Sequence, residues 1–414
     1  MESDYIKDET KGGNMVKVLI AGAGIGGLVA ALALQRKGVA VEVYEQAPDL
    51  LPLGAGVQIS ANGTRVLQAL GLEPALQPTL CEAAGKEVRM WNTGQTWPLF
   101  DLGADSVRRF GAPYWMMHRG DLHMALASAV RGNDPDAIRM GHRATGVSQD
   151  PDGVTLHTSK GEARGGVLIG ADGVHSAIRD TLFGSPKARF TGLMAWRGLA
   201  PMDRLPKDLR RPVGTNWVGP GGHVITYPLR GGEILNFVGV VENAEWRSES
   251  WTDAGTMAEA QADFPGWHPV IHEMIAALDK PMRWALVQRD PLPEWTHGRV
   301  SLLGDACHPT LPFLAQGAVM AIEDGYVLAD CLAAAPDAPG QALQRYETLR
   351  IDRTTAIVNG ASENTGRFHN AALNDPDQAV AYVETQWAPE KVRQRYDWLF
   401  DYDATGIAAG EPAE

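Results

Sequence analysis

Cysteine is scarce and scattered. Only three occur in 414 residues, Cys81, Cys307 and Cys331, and no two have CxxC spacing. That excludes reading a disulfide framework or a zinc knuckle, and it fits a reducing, cytoplasmic setting. No apolar run reaches the ~20 residues that a membrane helix needs. Basic runs are missing too: 37 Lys and Arg against 50 Asp and Glu leave a net charge of −13. Nucleic acid and anionic membranes would repel such a chain, so neither is expected as a partner. The first stretch, MESDYIKDETKGGN, lacks the apolar core of a signal peptide and reads as a disordered leader, 1–14. No segment repeats at a fixed period. What remains is an ordinary globular composition, long enough for one large domain and a smaller one.

From Met15, MVKVLIAGAGIGGLVAALALQRKGVAVEVYEQA reads as strand, tight turn, helix, strand. Val16, Val18 and Ile20 suit a strand buried on both faces. Ile25, Leu28, Val29 and Leu32 recur at helical intervals, and Gly38 ends the helix. The turn holds Gly22, Gly24 and Gly27 in GxGxxG spacing: the first permits the turn, the second lets backbone approach a pyrophosphate, and the third lets helix pack on strand. The helix N-terminus at Ile25 offers free N–H groups to phosphate. Glu45, at the carboxyl end of the second strand, can accept hydrogen bonds from a ribose diol. The pattern predicts dinucleotide binding on an α/β fold without separating FAD from NAD.

Two later segments repeat the logic. GGVLIGADGVHSAIRDTLFG is a short apolar strand, then GADG, then a helix. Asp172 there is either a ligand-side acid or a turn or helix-capping aspartate. RVSLLGDACHP is a buried strand followed at once by Asp305, and the loop PTLPFLAQG feeds a helix through Ala318, Ile322, Gly325, Ala329 and Leu332. Acids at the carboxyl ends of strands sit where open α/β sheets bind ligands. His308 beside Asp305 lacks a third metal ligand at suitable spacing, so no metal is expected. Cys307 and His308 are adjacent, and on an extended segment they would face opposite ways.

From about Pro186 to Pro281 short β-rich runs alternate with Gly-Pro and Gly-Gly turns, as antiparallel strands do. No second GxGxxG unit occurs, so a separate, stable NAD(P)H domain is absent. His223 and Tyr227, four apart, share one strand face.

GAGIGG, GADGVHSAIR and GDACHPTLPFLAQGAVMAIEDG are similar, in this order and separation, to the three fingerprints of the single-component FAD-dependent aromatic hydroxylases, the class A flavoprotein monooxygenases. LGAGVQISANGTRVLQALG, HRGDLHMAL, AWRGLAP and RYDWLFDYD extend the likeness, which most resembles the salicylate, 3-hydroxybenzoate and 6-hydroxynicotinate hydroxylase group. The resemblance implies an α/β, Rossmann-like FAD-binding domain of the glutathione reductase type, with an inserted β-sheet-rich substrate domain and a helical C-terminal segment. In the sequence these map to an FAD domain at 15–185 and 285–365, a substrate domain at 186–284 and a C-terminal segment at 366–414.

It also implies roles. Glu45 would bind the adenosine ribose, Arg119 the ribityl–pyrophosphate region and Asp305 the ribityl chain, while Asp172 would line the cofactor and NAD(P)H path. Gly317 and Ala318 would place N–H groups at the flavin pyrimidine edge, where a helix N-terminus stabilises negative charge. His223 would act as base or hydrogen-bond partner of a ring hydroxyl and Tyr227 would orient or relay; otherwise they are a turn-flanking histidine and an ordinary strand tyrosine. Gln58, Trp196, Arg197, Trp217, Pro312 and Phe313 are further pocket candidates, the aromatics being equally at home in a core and Arg197 in a plain salt bridge. Some members carry a polar residue at or beside the positions held here by Pro312 and Phe313, and a histidine where Gln58 stands, and the resemblance implies that these positions help set ring preference.

The expected protein is therefore a cytoplasmic monooxygenase holding FAD, taking NADH or NADPH transiently, and hydroxylating a small aromatic or N-heteroaromatic acid through a flavin hydroperoxide. Molecular oxygen is the other partner and a homodimer is the assembly allowed for. The alternatives are an epoxidase of a non-phenolic substrate and a non-catalytic flavin carrier or regulator. A halogenase is disfavoured because WxWxIP is absent and no lysine falls in the apolar segments considered.

Overall fold

The computed structural model describes residues 17–51, 54–185, 187–243 and 253–407. The leader at 1–14, and Met15 and Val16 after it, lie outside the described residues. Among those described, a six-stranded sheet runs in the order Thr296–His297, Val300–Leu302, Val167–Gly170, Val18–Ala21, Val41–Glu45, Ile138–Met140. All its pairings are parallel except that of the first two strands. Val18–Ala21 is central, with Val41–Glu45 on one side and Val167–Gly170 on the other. The chain order reverses there, which opens a crevice at its carboxyl end, where the glycine turn lies. The strand is buried at all four positions, with helix Ile25–Arg36 and the three-stranded antiparallel sheet of Ala144–Asp150, Gly153–Thr158 and Gly161–Gly165 packed around it. Helix Ile25–Arg36 crosses helix Gly317–Ala334 so closely that a Cβ on Gly325 would come within 2.7 Å of the Ala30 nitrogen.

The second body is an eight-stranded sheet, Asp253–Ala254, Met282–Gln288, Arg189–Pro201, Ile234–Glu242, Gly222–Leu229, Val213–Gly219, Gly85–Met90, Thr96–Asp101. Its last two strands come from the stretch assigned by sequence to the first FAD segment. Gly85–Met90 pairs in parallel with Val213–Gly219, a long-range contact that linear division of the chain does not reveal. Likewise Met282–Gln288 runs past the expected boundary at 284, and helix Pro339–Phe368 runs through the one at 365. Helices Met257–Ala262 and Pro269–Ala276 close the outer face over Trp196, Trp217, Val224 and Phe237. The inner face packs toward the six-stranded body and the C-terminal helices through Val88, Met90, Val218, Tyr227 and Val240. A bidentate pair, Arg230 to Asp121 at 2.8 and 2.9 Å, also ties the two bodies.

Beneath the loop Pro309–Gln316 lies a wholly buried charge cluster. Arg350 meets Glu323 at 2.6 Å and Asp324 at 2.8 Å, and all three side chains are fully buried. Asp324 also takes His308 Nε2 at 2.6 Å and the Gly304 N–H at 3.2 Å. Glu323 takes Arg353 at 2.9 Å and Asn62 at 2.6 Å, and Asn62, Gln316 and Ser60 bond one another. Burial pushes both carboxyls up, but the groups facing them, Arg350 for each, Arg353 for Glu323 and the His308 hydrogen bond for Asp324, bring both below the ordinary range. Tyr402 of the RYDWLFDYD ending lies beneath both guanidinium groups, 5.1 Å from Arg350 and 3.8 Å from Arg353.

Removing one partner strands the others in a dry interior, so Arg350→Met should cost about 3–5 kcal/mol of unfolding free energy. Denaturant titration of the purified protein measures it. Because both carboxyl pKa values are depressed, their stabilisation is present above about pH 4 and is lost as pH falls through the lower folded values. Melting temperature should therefore drop steeply on acidification.

Candidate functional site

The glycine turn has the geometry of a phosphate cradle. Gly22 has φ +103°, and a Cβ there would lie 2.3 Å from the Ala171 oxygen. Gly27 is equally tight, its Cβ position falling 2.2 Å from the Gly22 oxygen. Gly24 is the opposite case: a Cβ would meet no protein atom within 4 Å. No side chain caps the helix that begins at the buried Ile25, so its first N–H groups face that open space. Glu45 accepts from the Ala23 and Ala47 N–H groups, each at 2.8 Å. It braces the turn and keeps further lone pairs for a diol.

Across the crevice Asp305 is exposed to the cleft, yet the surrounding protein removes enough bulk water to push its carboxyl up, against the pull of His308 and Arg119. Among the described residues no donor reaches it. Arg119 opens helix Arg119–Asn133, exposed and without an ion partner among the described residues. Helix Gly317–Ala334 starts with half-buried Gly317 and Ala318 and no side-chain cap. Just before it Ala315 sits at φ +54°, a strained conformation for alanine, held at the bed of the cleft. An open glycine cradle, two uncapped helix N-termini, an unpaired acid and an unpaired arginine fit a flavin dinucleotide.

Asp172 behaves differently. It accepts from Ser176 Oγ and from the Ala177 and Ile178 N–H groups at 2.8 and 3.2 Å, so its carboxylate caps helix Ala177–Leu182. Cys307 and His308 lie at the end of a 3-10 turn, Gly304–Ala306, rather than on an extended segment. They still do not cooperate: the thiol donates to the Gly304 carbonyl, and the imidazole serves Asp324. Among the described residues no group of three or more metal-ligating side chains forms.

The inner face of the large sheet supplies the facing wall. His223 and Tyr227 are buried, on strand Gly222–Leu229. The His223 ring contacts Phe313 at 5.0 Å and Phe368 at 4.9 Å. Its Nε2 is buried with no hydrogen-bond partner, while Nδ1 lies 2.6 Å from Nε2 of His369. Burial, reinforced by His369, pushes His223 well below its ordinary value, so it is a neutral imidazole. Tyr227 borders Gly56 and Gln58, and Gln58 accepts from the Tyr114 hydroxyl at 3.0 Å. Burial pushes the Tyr227 phenol up, with Gln58 opposing. Arg197 shares the inner side, stacked 5.0 Å over Trp284. Pro312 is exposed and Phe313 buried in the loop facing this wall.

Trp196 and Trp217 require a correction. In the register Val218 pairs with His223 and Trp217 with Val224, so Trp217 projects to the outer face. Trp196 does the same, donating from Nε1 to Asp263 at 2.7 Å. Both belong to the outer core, not the pocket.

Sequence reasoning missed two members of this wall. His369, at the end of helix Pro339–Phe368, carries no local signal. Lys86 does: GKEVRM alternates, putting Lys86 on the side of Val88 and Met90. Its ammonium stands 4.9 Å over the Tyr114 ring, with no carboxylate partner among the described residues. Desolvation brings it down to about 8. A lysine does therefore occur on this face, and the absence of WxWxIP alone weighs against a halogenase.

A profile described as FAD binding domain matches residues 15–361. The chain is 39% identical to a 3-amino-4-hydroxybenzoate 2-monooxygenase of Streptomyces platensis, over 95% of this chain and 98% of the relative. It is 35% identical to a 3-hydroxybenzoate 6-hydroxylase of Polaromonas naphthalenivorans, over 95% and 97%. The solved structure of Klebsiella pneumoniae HpxO with FAD and uric acid superposes with a TM-score of 0.80 at 28% identity, covering 97% of this chain and 99% of that one.

The contrast between two glycines is testable. Gly24→Val should leave apoprotein melting within a few degrees of wild type but weaken FAD binding by ~100-fold, about 2.7 kcal/mol. Gly22→Val, driven into Ala171, should fail to fold. Flavin fluorescence titration and thermal melts read both.

Proposed function

The chain belongs to the FAD-binding-domain family described above, and from that membership we propose that it hydroxylates a small, ring-hydroxylated aromatic acid. It is an FAD-dependent aromatic-ring monooxygenase that uses NAD(P)H. Bound FAD, reduced by NAD(P)H, supplies the transfer of one atom of molecular oxygen to the ring. The protein's own work is to bind, orient, exclude water and move a proton.

Gly22, Gly24, Ile25 and Gly27 with Glu45 would hold the adenosine half of FAD, and Arg119 the pyrophosphate region. Asp305 would take the ribityl hydroxyls, its missing donor being the observation in favour. Gly317 and Ala318 would serve the pyrimidine edge. Asp172 would act by shaping the GADG turn through its helix cap. The substrate would lie between Phe313 and the sheet face, with its ring hydroxyl at the unpartnered Nε2 of His223. A neutral imidazole there is a competent base. Tyr227, Tyr114 and Gln58 form the polar chain at the other end, and the aromatic walls keep water out.

Lys86 carries the acid part of the reading. A desolvated ammonium with no carboxylate of its own, on the same face as Tyr227, suits a substrate carboxylate. The buried cysteines and the lack of any helix long and apolar enough to span a membrane among the described residues support a cytoplasmic setting. A homodimer is the assembly we propose, to be checked by sedimentation.

A panel of hydroxybenzoates and hydroxypyridine carboxylates tests the reading through stimulated NAD(P)H oxidation, with hydrogen peroxide measured in parallel. Coupled turnover of at least one acid is expected; oxidation yielding only peroxide across the panel contradicts it. Lys86→Met should raise KM for the acid ~10- to 100-fold, as loss of one charge-assisted bond implies, and leave the matching carboxamide unchanged. With Lys86 at about 8, kcat/KM for the acid should fall as pH rises through 8. Lys86→Arg should remove that inflection.

A further inference from the structure

We propose that His369 and Glu242 form a proton exit from the pocket, carrying the substrate's ring-hydroxyl proton from His223 to solvent. This rests on the phenol-hydroxylating reading of the site. His223 is sealed inside, 1% exposed, among Phe313, Phe368 and His369. A buried base can accept a proton only if it can pass one on. Its Nδ1 lies 2.6 Å from Nε2 of His369. The other nitrogen of that ring, Nδ1, is buried without a hydrogen bond and lies 3.4 Å from Oε1 of Glu242. The Glu242 side chain is 59% exposed, on the rim of a surface cavity of about 500 Å³ that Asp263 and Asn374 also line. A line of three side chains thus runs from an unpartnered nitrogen in the pocket to open water.

The tautomers follow from this geometry. An acceptor at His223 Nε2 requires its proton on Nδ1, donated to His369 Nε2, and leaves the His369 proton on Nδ1, pointing at Glu242. Burial holds both rings neutral, with His369 down to about 4, so neither stores the proton. In transfer the substrate O–H bond breaks and its electron pair stays on oxygen. His223 Nε2 gains that proton, His223 Nδ1 gives one to His369 Nε2, and His369 Nδ1 gives one to the Glu242 carboxylate and then water. One proton leaves, both rings remain neutral, and both have changed tautomer. Reprotonation of the product hydroxyl runs the same line inward and restores the starting state. A purely structural pair would have no need of a polar contact in an aromatic cluster, where unpaired nitrogens are costly.

The test uses the flavin-loaded protein. In Glu242→Gln, ionisation of a bound hydroxybenzoate, followed by phenolate absorbance in stopped flow, should slow about tenfold with KM unchanged. His369→Ala should slow it ~100-fold, and added imidazole, entering from the cavity, should restore several-fold. Wild-type rates and pH profiles in both variants, or a His369→Ala defect that imidazole does not relieve, overturn the relay. Histidine 15N NMR without substrate gives an independent answer. Nδ1–H tautomers on both rings, with His369 shifted in Glu242→Gln, are expected; the opposite tautomers overturn the relay. If the wild type hydroxylates no phenolic acid, the functional reading fails while the NMR result still decides the relay.

Discussion

The site depends on the buried contact of Arg350 with Glu323 and Asp324. Three full charges in a dry interior are tolerable only because each meets an opposite charge and the carboxylate oxygens also reach His308, Asn62, Arg353 and the Gly304 N–H, leaving Arg350 Nη1 without a hydrogen bond among the described residues. That requirement locks together segments far apart in sequence: the strand-end turn at Gly304, the helix from Ala61, the helix from Gly317 and the long helix from Pro339. The cluster holds both ends of the loop Pro309–Gln316, His308 at one and Gln316 at the other, so Ala315 can be kept in a left-handed conformation. Asp305 and the uncapped N-terminus at Gly317 are thereby presented to the cleft from a rigid base.

Opposite this base, the period of two along a strand decides what the substrate would meet. His223, Tyr227, Lys86 and Arg197 fall on the inner face; Trp196, Trp217 and Arg89 fall outside, where Arg89 stacks over Trp217. The two faces differ in chemistry as well as position. The outer one is a packed core under two helices, whereas among the described residues the inner one carries an imidazole nitrogen without a hydrogen bond and an ammonium without a carboxylate. Such groups cost stability in the empty protein and are what a bound ligand would satisfy.

Legibility in the sequence followed locality. The glycine turn, the GADG segment and the GDACHP segment were readable because backbone geometry demands particular residues at fixed short spacings. The β-rich middle was readable from its turns, and the shared face of His223 and Tyr227 from their spacing alone. Gly85–Asp101 was misassigned because its partner strand lies more than a hundred residues on, in a parallel pairing that leaves no local trace. Trp196 and Trp217 failed for the related reason that parity fixes faces within a strand, not between strands of unknown register. Lys86 was legible, since its strand alternates, but a lone lysine carries no motif. His369 was not legible, because 146 residues separate it from His223. His308, set aside in the sequence as a metal ligand and as a partner of Cys307, proved an anchor whose partner Asp324 sits sixteen residues away on the next helix.

On the proposed function, the aromatic substrate would lie between the cluster-supported loop and the inner face of the large sheet. A crystal structure of the flavin-loaded protein with bound 3-hydroxybenzoate tests it most directly. The ring is expected against Phe313, with its hydroxyl at Nε2 of His223 and its carboxylate at the Lys86 ammonium. A ligand bound on the Trp196–Trp217 side, or in the cleft with its carboxylate turned away from Lys86 and its hydroxyl away from His223, would contradict it.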